Sequence, residues 1–254
     1  MEGIALTDID EKSREDSFEQ GVFWELFREL ERQFELFLQY IPFPVLGNWD
    51  TCSFKLSNLI LSIGGYVDSA FKEMARYQGF ANDIGCSKIR KILQESESNI
   101  QAGKAPKTVP INLCLSVFEK IYEISHREVV IKTLPKSTNI VRPFEPYHPK
   151  TKAPIWWIAY NELKHDIGAK YLEATPRITY EALAGAFLLN AIHFPSAIRL
   201  YNYDILKIQI PFRSEPSKYS MTQISCDTFQ DILKSGQGFS GFAESPLFKY
   251  FYSQ

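Results

Sequence analysis

Phe18, Val22, Phe23, Leu26, Phe27, Leu30, Phe34, Phe37 and Leu38 recur at intervals of mostly three and four residues. Large apolar side chains at that period share one side of an α-helix, whereas a strand would scatter them over both faces. Glu25, Glu29, Arg32 and Glu35 fall on the other face. Ser17 and Gln20 fit a capping box ahead of the run. Pro42 and Pro44 forbid its continuation. The spacing predicts an amphipathic helix of about seven turns over 17–41.

A second helix is predicted over 53–77, with Leu56, Leu59, Ile60, Ile63, Val67, Phe71 and Met74 on its apolar face. Gly64-Gly65 in its middle costs about 1 kcal/mol per glycine relative to alanine, which is tolerable where another helix crosses closely. Short helical pieces are expected over 87–95, and 96–110 reads as a loop by composition. Pro110 can open a third helix over 111–126. Val129-Val130-Ile131 begins a short β-branched strand. An irregular proline-rich segment over 135–154 contains Arg142-Pro143-Phe144. Helices are then predicted over 154–167, capped near Gly168, and over 178–201, where Pro195 kinks or splits the element. Beyond 203 the period changes. Leu206, Ile208 and Ile210 alternate with polar residues as in a strand, with 221–225 as its pairing partner. A short helix over 228–234 and an aromatic end over 248–252 follow. The expected organisation is mainly α. A helical bundle occupies 1–200, and a C-terminal extension over 201–254, with short strands, packs on it.

The 254 residues are 45% hydrophobic and 14% aromatic, enough to bury a core and contrary to a disordered composition. A net charge of −2 gives no global attraction to nucleic acid, so any such contact needs a local patch. Lys88, Arg90, Lys91, Lys104 and Lys107 would form one if they shared a face, although a solvated surface is the simpler reading. Cys52, Cys86, Cys114 and Cys226 include no Cys-x-x-Cys pair, so reduced core thiols are expected and a zinc ribbon is not. No Walker loop, GxGxxG or Gly-x-Ser-x-Gly occurs. His126, His148 and His193 are too dispersed to suggest a metal site. The first 20 residues lack an apolar h-region, and the apolar run over 182–189 is too short to span a bilayer. A cytoplasmic protein without metal, cofactor or membrane contact is expected.

The run Trp156-Trp157-Ile158-Ala159-Tyr160-Asn161-Glu162-Leu163-Lys164-His165-Asp166 carries the candidate chemistry. As a helix it aligns Trp157, Asn161 and His165 on one stripe, with Tyr160 and Lys164 on the stripe beside it. An imidazole next to a primary amine, one turn from an amide, suits phosphodiester binding or cleavage. The same residues also suit a structural role. Trp156 and Trp157 would then anchor the core, Asn161 would fix a helix register, His165 beside Asp166 would sit at a helix end, and Lys164 would snorkel.

This run resembles a group of prokaryotic HEPN-like proteins. Supporting matches are the residues over 34–42, Ser53-Phe54-Lys55-Leu56, Val141-Arg142-Pro143-Phe144, Glu173-Ala174-Thr175 and Ala182-Leu183-Ala184. The resemblance covers roughly residues 17–200 and does not extend over the last 50. It implies an up-down bundle of four or five helices, often dimeric, and in many members a metal-independent ribonuclease, toxin or antiviral effector. Their signature is an Arg followed about five residues later by a His, commonly with Asn just after the Arg. Asn161 and His165 fall where that Asn and His would be, and the Arg position is Tyr160. The resemblance therefore implies His165 as base, Asn161 as positioning group and Lys164 as the cation. Tyr160, Trp156, Trp157 and Asp166 would be binding residues. A homodimer or larger protein assembly, with RNA as a partner, is expected. Against this stands a non-catalytic HEPN-like module that binds a partner protein or nucleotide, which Tyr160 and the near-neutral charge favour.

Overall fold

The computed structural model describes residues 21–41, 48–136, 138–145, 153–209, 229–231, 233 and 240–252. The phenylalanine-rich stripe forms α1 (Val22–Tyr40), which starts at Gly21 in the left-handed region (φ 78°). The capping pair Ser17 and Gln20 lies outside the described residues. The buried side of α1 includes Trp24 and Glu31, while Val22 and Leu26 stay exposed. Phe23, Phe27, Leu30, Phe34 and Phe37 of the predicted stripe are buried, so the apolar period finds the inward face and misses only its edges.

Ser53 opens α2 (Phe54–Arg76), its hydroxyl accepting from the Leu56 amide at 3.2 Å. Asp83 does the same for α3 (Ile84–Gln101), accepting from Cys86 at 2.7 Å. The short pieces expected over 87–95 are one 18-residue helix, and the expected loop over 96–110 gives up its first part, through Ala102, to that helix and its cap. Its inward face is carried by Cys86, Ile89 and the small polar Ser96, a pattern that an apolar count passes over. Gly103 at φ 67° follows its end. Pro110 caps α4 (Ile111–Tyr122) from one position outside, and Glu123 ends the helix at φ 54°.

The Trp-rich run is α5 (Ile155–His165), followed by the single turn α6 (Ile167–Lys170). Gly168 is therefore not the cap. Asp166 separates the two turns and accepts from the Ala169 amide at 3.0 Å. Thr175 caps α7 (Pro176–Ile192), which keeps Pro176 at its first turn. Pro195 does split the next element, since α8 (Phe194–Asn202) leaves α7 at 85°. Among the described residues no single helix is long and apolar enough to cross a membrane.

The sheet is antiparallel, in the order β2-β1-β5-β4-β3. Its strands are β1 (Val129–Ile131), β2 (Ile140–Val141), β3 (Leu206–Gln209), β4 (Ser240–Glu244) and β5 (Phe248–Phe251). It is not built from the C-terminal region alone, because β5 pairs with β1, placing Val130 opposite Lys249. β3 pairs with β4, and the expected partner over 221–225 lies outside the described residues. Phe229, Gln230, Asp231 and Leu233 are helical, within the short helix expected over 228–234.

The core centres on α7, buried without a break from Ala182 through Ile192. α1, α2 and α5 pack on it, and the sheet covers another side. Phe187 stacks on Phe248 at 5.8 Å, and the Tyr252 hydroxyl donates to the Ala191 carbonyl at 2.6 Å. Buried polar groups join the layers. Glu31 of α1 accepts from the Ser245 hydroxyl (2.6 Å) and the Leu247 amide (2.9 Å), beside Arg28. Burial raises the Glu31 carboxyl, with those two hydrogen bonds opposing the shift. Asn190 donates to the Tyr66 hydroxyl at 2.5 Å. Cys86 and Cys114 are free, and burial pushes both thiols up to about 12.

Candidate functional site

α5 lies across α2 at Gly64. A Cβ on that glycine would come 2.2 Å from the Tyr160 ring, so only a glycine admits the tyrosine there. The expectation that a helix crosses closely at the glycine pair is met by this one residue, since nothing lies within 4 Å of a Cβ on Gly65. Trp156 is buried, with its indole N–H donating to the Pro143 carbonyl at 2.6 Å and Phe144 against its ring. The Arg142-Pro143-Phe144 segment is thereby fastened to the Trp-rich helix. Trp157 is also buried, packed on Trp156 and Tyr160. Its indole N–H has no hydrogen-bond partner among the described residues.

The polar members of the run occupy the far end of α5. Asn161 is half-buried and donates back to the Trp157 carbonyl of its own helix at 3.0 Å. Lys164 and His165 are exposed in the last turn, where the negative end of the helix dipole favours cations. The Lys164 ammonium lies 5.6 Å from the Tyr160 ring centroid. Asp166 caps α6 rather than facing the imidazole's helix. Trp156, Trp157 and Tyr160 thus form the base of this corner, and Lys164 and His165 are what it presents to solvent.

Two members of the basic patch are engaged within the protein, and Lys91 and Lys107 line one shallow concavity. The Arg90 guanidinium donates to the carbonyls of Ala75, Phe80 and Ala81, closing the end of α2. Lys107 pairs with Glu95 at 2.5 Å. His193, one of the dispersed histidines, is buried beside the Tyr77 and Phe80 rings, with the Tyr122 hydroxyl 3.4 Å from Nδ1. Burial pulls its pKa down to about 3, so the ring is neutral.

A second place in the fold offers a real concavity. A cleft of about 820 Å³ opens between the start of α7, the edge strand β2 and the short turn Asn48–Asp50. Arg177, Tyr180 and Glu181 face it from α7, and Glu128, Arg142 and Glu145 from the strand side. Arg142 donates twice to one Glu128 oxygen, at 2.7 and 3.0 Å. Arg177 reaches Glu181 at 3.3 Å, and burial still raises the Glu181 carboxyl. The Tyr180 hydroxyl lies 2.8 Å from Thr133 Oγ1, and Trp49 stands 6.5 Å from its ring. Reasoning from the sequence misses these residues apart from Arg142. A signal for them exists: Thr175-Pro176 fixes a helix start, and Arg177, Tyr180 and Glu181 then share one face at three- and four-residue spacing.

Comparisons with protein-family models, with curated proteins and with solved structures find no match. Among the described residues no group of three His, Cys, Asp or Glu side chains is placed to hold a metal ion.

Proposed function

We propose that this chain is a HEPN-like helical module that binds a partner protein and does not by itself cleave RNA. The observation that supports this reading is the placement of Tyr160. The resemblance puts a catalytic arginine at that position, and here the side chain is buried against Gly64. Metal-free cleavage of RNA needs a base for the 2′-hydroxyl and a cation at the phosphorane oxygens. His165 is available as the base. The position that would supply a bidentate guanidinium faces the core, and a lysine one turn away is a poorer match to a phosphoryl group. The test is incubation of the purified protein with structured and single-stranded RNA in EDTA, reading 2′,3′-cyclic phosphate ends. No cleavage above buffer is expected, and cleavage that disappears in His165→Ala overturns the reading.

One observation favours a second reading. Lys164 and His165 are adjacent, exposed and mounted on a rigid aromatic base. Two such corners brought together in a homodimer would supply two imidazoles and two ammonium groups. That arrangement suits a metal-independent ribonuclease of an antiviral or toxin system. In that case His165→Ala abolishes cleavage and Lys164→Ala reduces it, while EDTA has no effect.

A further inference from the structure

We propose that the cleft beside β2 binds an extended basic segment of a partner protein, which adds to the free edge of the sheet and sets its lysine or arginine side chains against Asp50 and Glu145. The proposal rests on the reading of the chain as a binding module and names the chemistry of what it binds.

The volume, about 820 Å³, is that of a site able to enclose several side chains. Its charge selects their sign. Among the described residues Asp50, Glu128, Glu145 and Glu181 line it against Arg142 and Arg177. Both guanidiniums already sit on carboxylates, Arg142 on Glu128 and Arg177 on Glu181. Asp50 and Glu145 have no ion-pair partner among the described residues, whose lining side chains carry a formal surplus of two negative charges. An anionic ligand would have to break two ion pairs and then face those carboxylates. A cation meets them directly, with the Trp49 and Tyr180 rings as wall.

The sheet edge selects an extended backbone. Among the described residues β2 is outermost, and only β1 pairs with it. The register sets Val130 opposite Ile140, and the Ile131 amide donates to the Asn139 carbonyl at 2.6 Å. Antiparallel ladders alternate, so Ile140 lies between hydrogen-bonded pairs and its N–H and C=O point away from β1. The Ile140 side chain is 55% exposed. An exposed edge of this kind is a template for one more strand. Two residues of edge are short, so the cations must supply much of the affinity, and binding should weaken with salt.

The test is fluorescence anisotropy of a labelled heptapeptide of alternating lysine and threonine, titrated with the whole chain. Saturable binding that weakens as salt rises is expected. The Asp50→Asn, Glu145→Gln double variant should weaken it about tenfold or more, because it removes the surplus charge and breaks no contact within the protein. Ile140→Pro removes only an outward amide, a change tolerated on an edge strand, and should weaken binding as well. The same heptapeptide N-methylated at alternate residues keeps every charge and should bind poorly. Absence of binding, or binding indifferent to the double variant, overturns the proposal. So does equal binding of the N-methylated peptide, since that means that cations alone are recognised. RNA cleavage by the protein would sink the non-catalytic reading and leave this cleft standing. Failure of the peptide would remove the cleft and leave that reading to its own assay.

Discussion

Tyr160 fills the space that a side chain on Gly64 would occupy, its ring lying 2.2 Å from where a methyl carbon on that glycine would stand. The crossing of α2 and α5 is set by this pair. Gly64→Ala should cost about 1–3 kcal/mol, the usual range for overpacking. Gly65→Ala, with open space around it, should be neutral or stabilise by up to about 1 kcal/mol through helix propensity. Thermal unfolding of the two variants side by side checks the contrast, and equal effects would separate α5 from Gly64.

Trp157→Ala should destabilise by about 3–5 kcal/mol, as expected for an aromatic side chain removed from a packed interior. Its indole is 6% exposed, so truncation leaves a cavity that neighbours on α5 cannot fill. Lys164→Ala and His165→Ala, both at solvent-exposed positions, should shift stability by no more than about 0.5 kcal/mol. Urea unfolding of the three variants reads the difference.

Stability should fall as pH drops below neutral, and His193 should account for part of the fall. Its folded pKa is depressed to about 3 by burial, against 6.5 for the free side chain. The unfolded chain therefore takes up a proton that the folded chain refuses. The contribution is complete above the unfolded value and is lost as pH falls toward the folded one, at up to about 1.4 kcal/mol per pH unit. The groups around the ring are Tyr77, Phe80 and the Tyr122 hydroxyl. Glu31 works in the opposite direction, being raised by burial. The measurement is therefore the difference between wild type and His193→Gln from pH 7 to pH 4. That difference should shrink with acidification.

Ser245→Ala removes one donor from a buried carboxylate and should cost about 1–3 kcal/mol, the penalty for leaving such a group under-satisfied. Proteolysis near the β4–β5 turn should accelerate in the same variant. An unchanged cleavage rate would mean that the Leu247 amide and Arg28 suffice to hold Glu31.

The helices are legible wherever a cap and an apolar stripe coincide, as at Ser53 with Leu56, Leu59, Ile60 and Ile63. α3 is obscured because Cys86 and Ser96 do inward work that small or polar residues do not advertise. Gly168 misleads because Asp166 ends α5 and caps the next turn at once. β2 is invisible because two residues carry no period, and the pairing of β3 with β4 is missed because register over a distance is not encoded locally. At the candidate site the buried tryptophans and the exposed Lys164 follow from residue type, whereas helical spacing alone sets His165 on the stripe of Trp157, and it is the end of α5 that leaves His165 exposed. The inward turn of Tyr160 follows from neither, since it depends on a glycine far away in sequence. The cleft depends on three separate segments meeting, and the sequence presents them only one at a time.

The pairing of β5 with β1, and of Ser245 with Glu31, fixes an order of events during synthesis. A ribosome delivers α1 first, with a carboxylate set into the face that must later be covered. β1 and β2 emerge well before β5, and one flank of β1 stays open until Phe248 and its neighbours have left the exit tunnel. Between the synthesis of β1 and that of β5 the nascent protein therefore carries an unpaired strand edge and a solvated charge on α1. That charge keeps the unfinished face wet until the last-made described strand arrives to dry it.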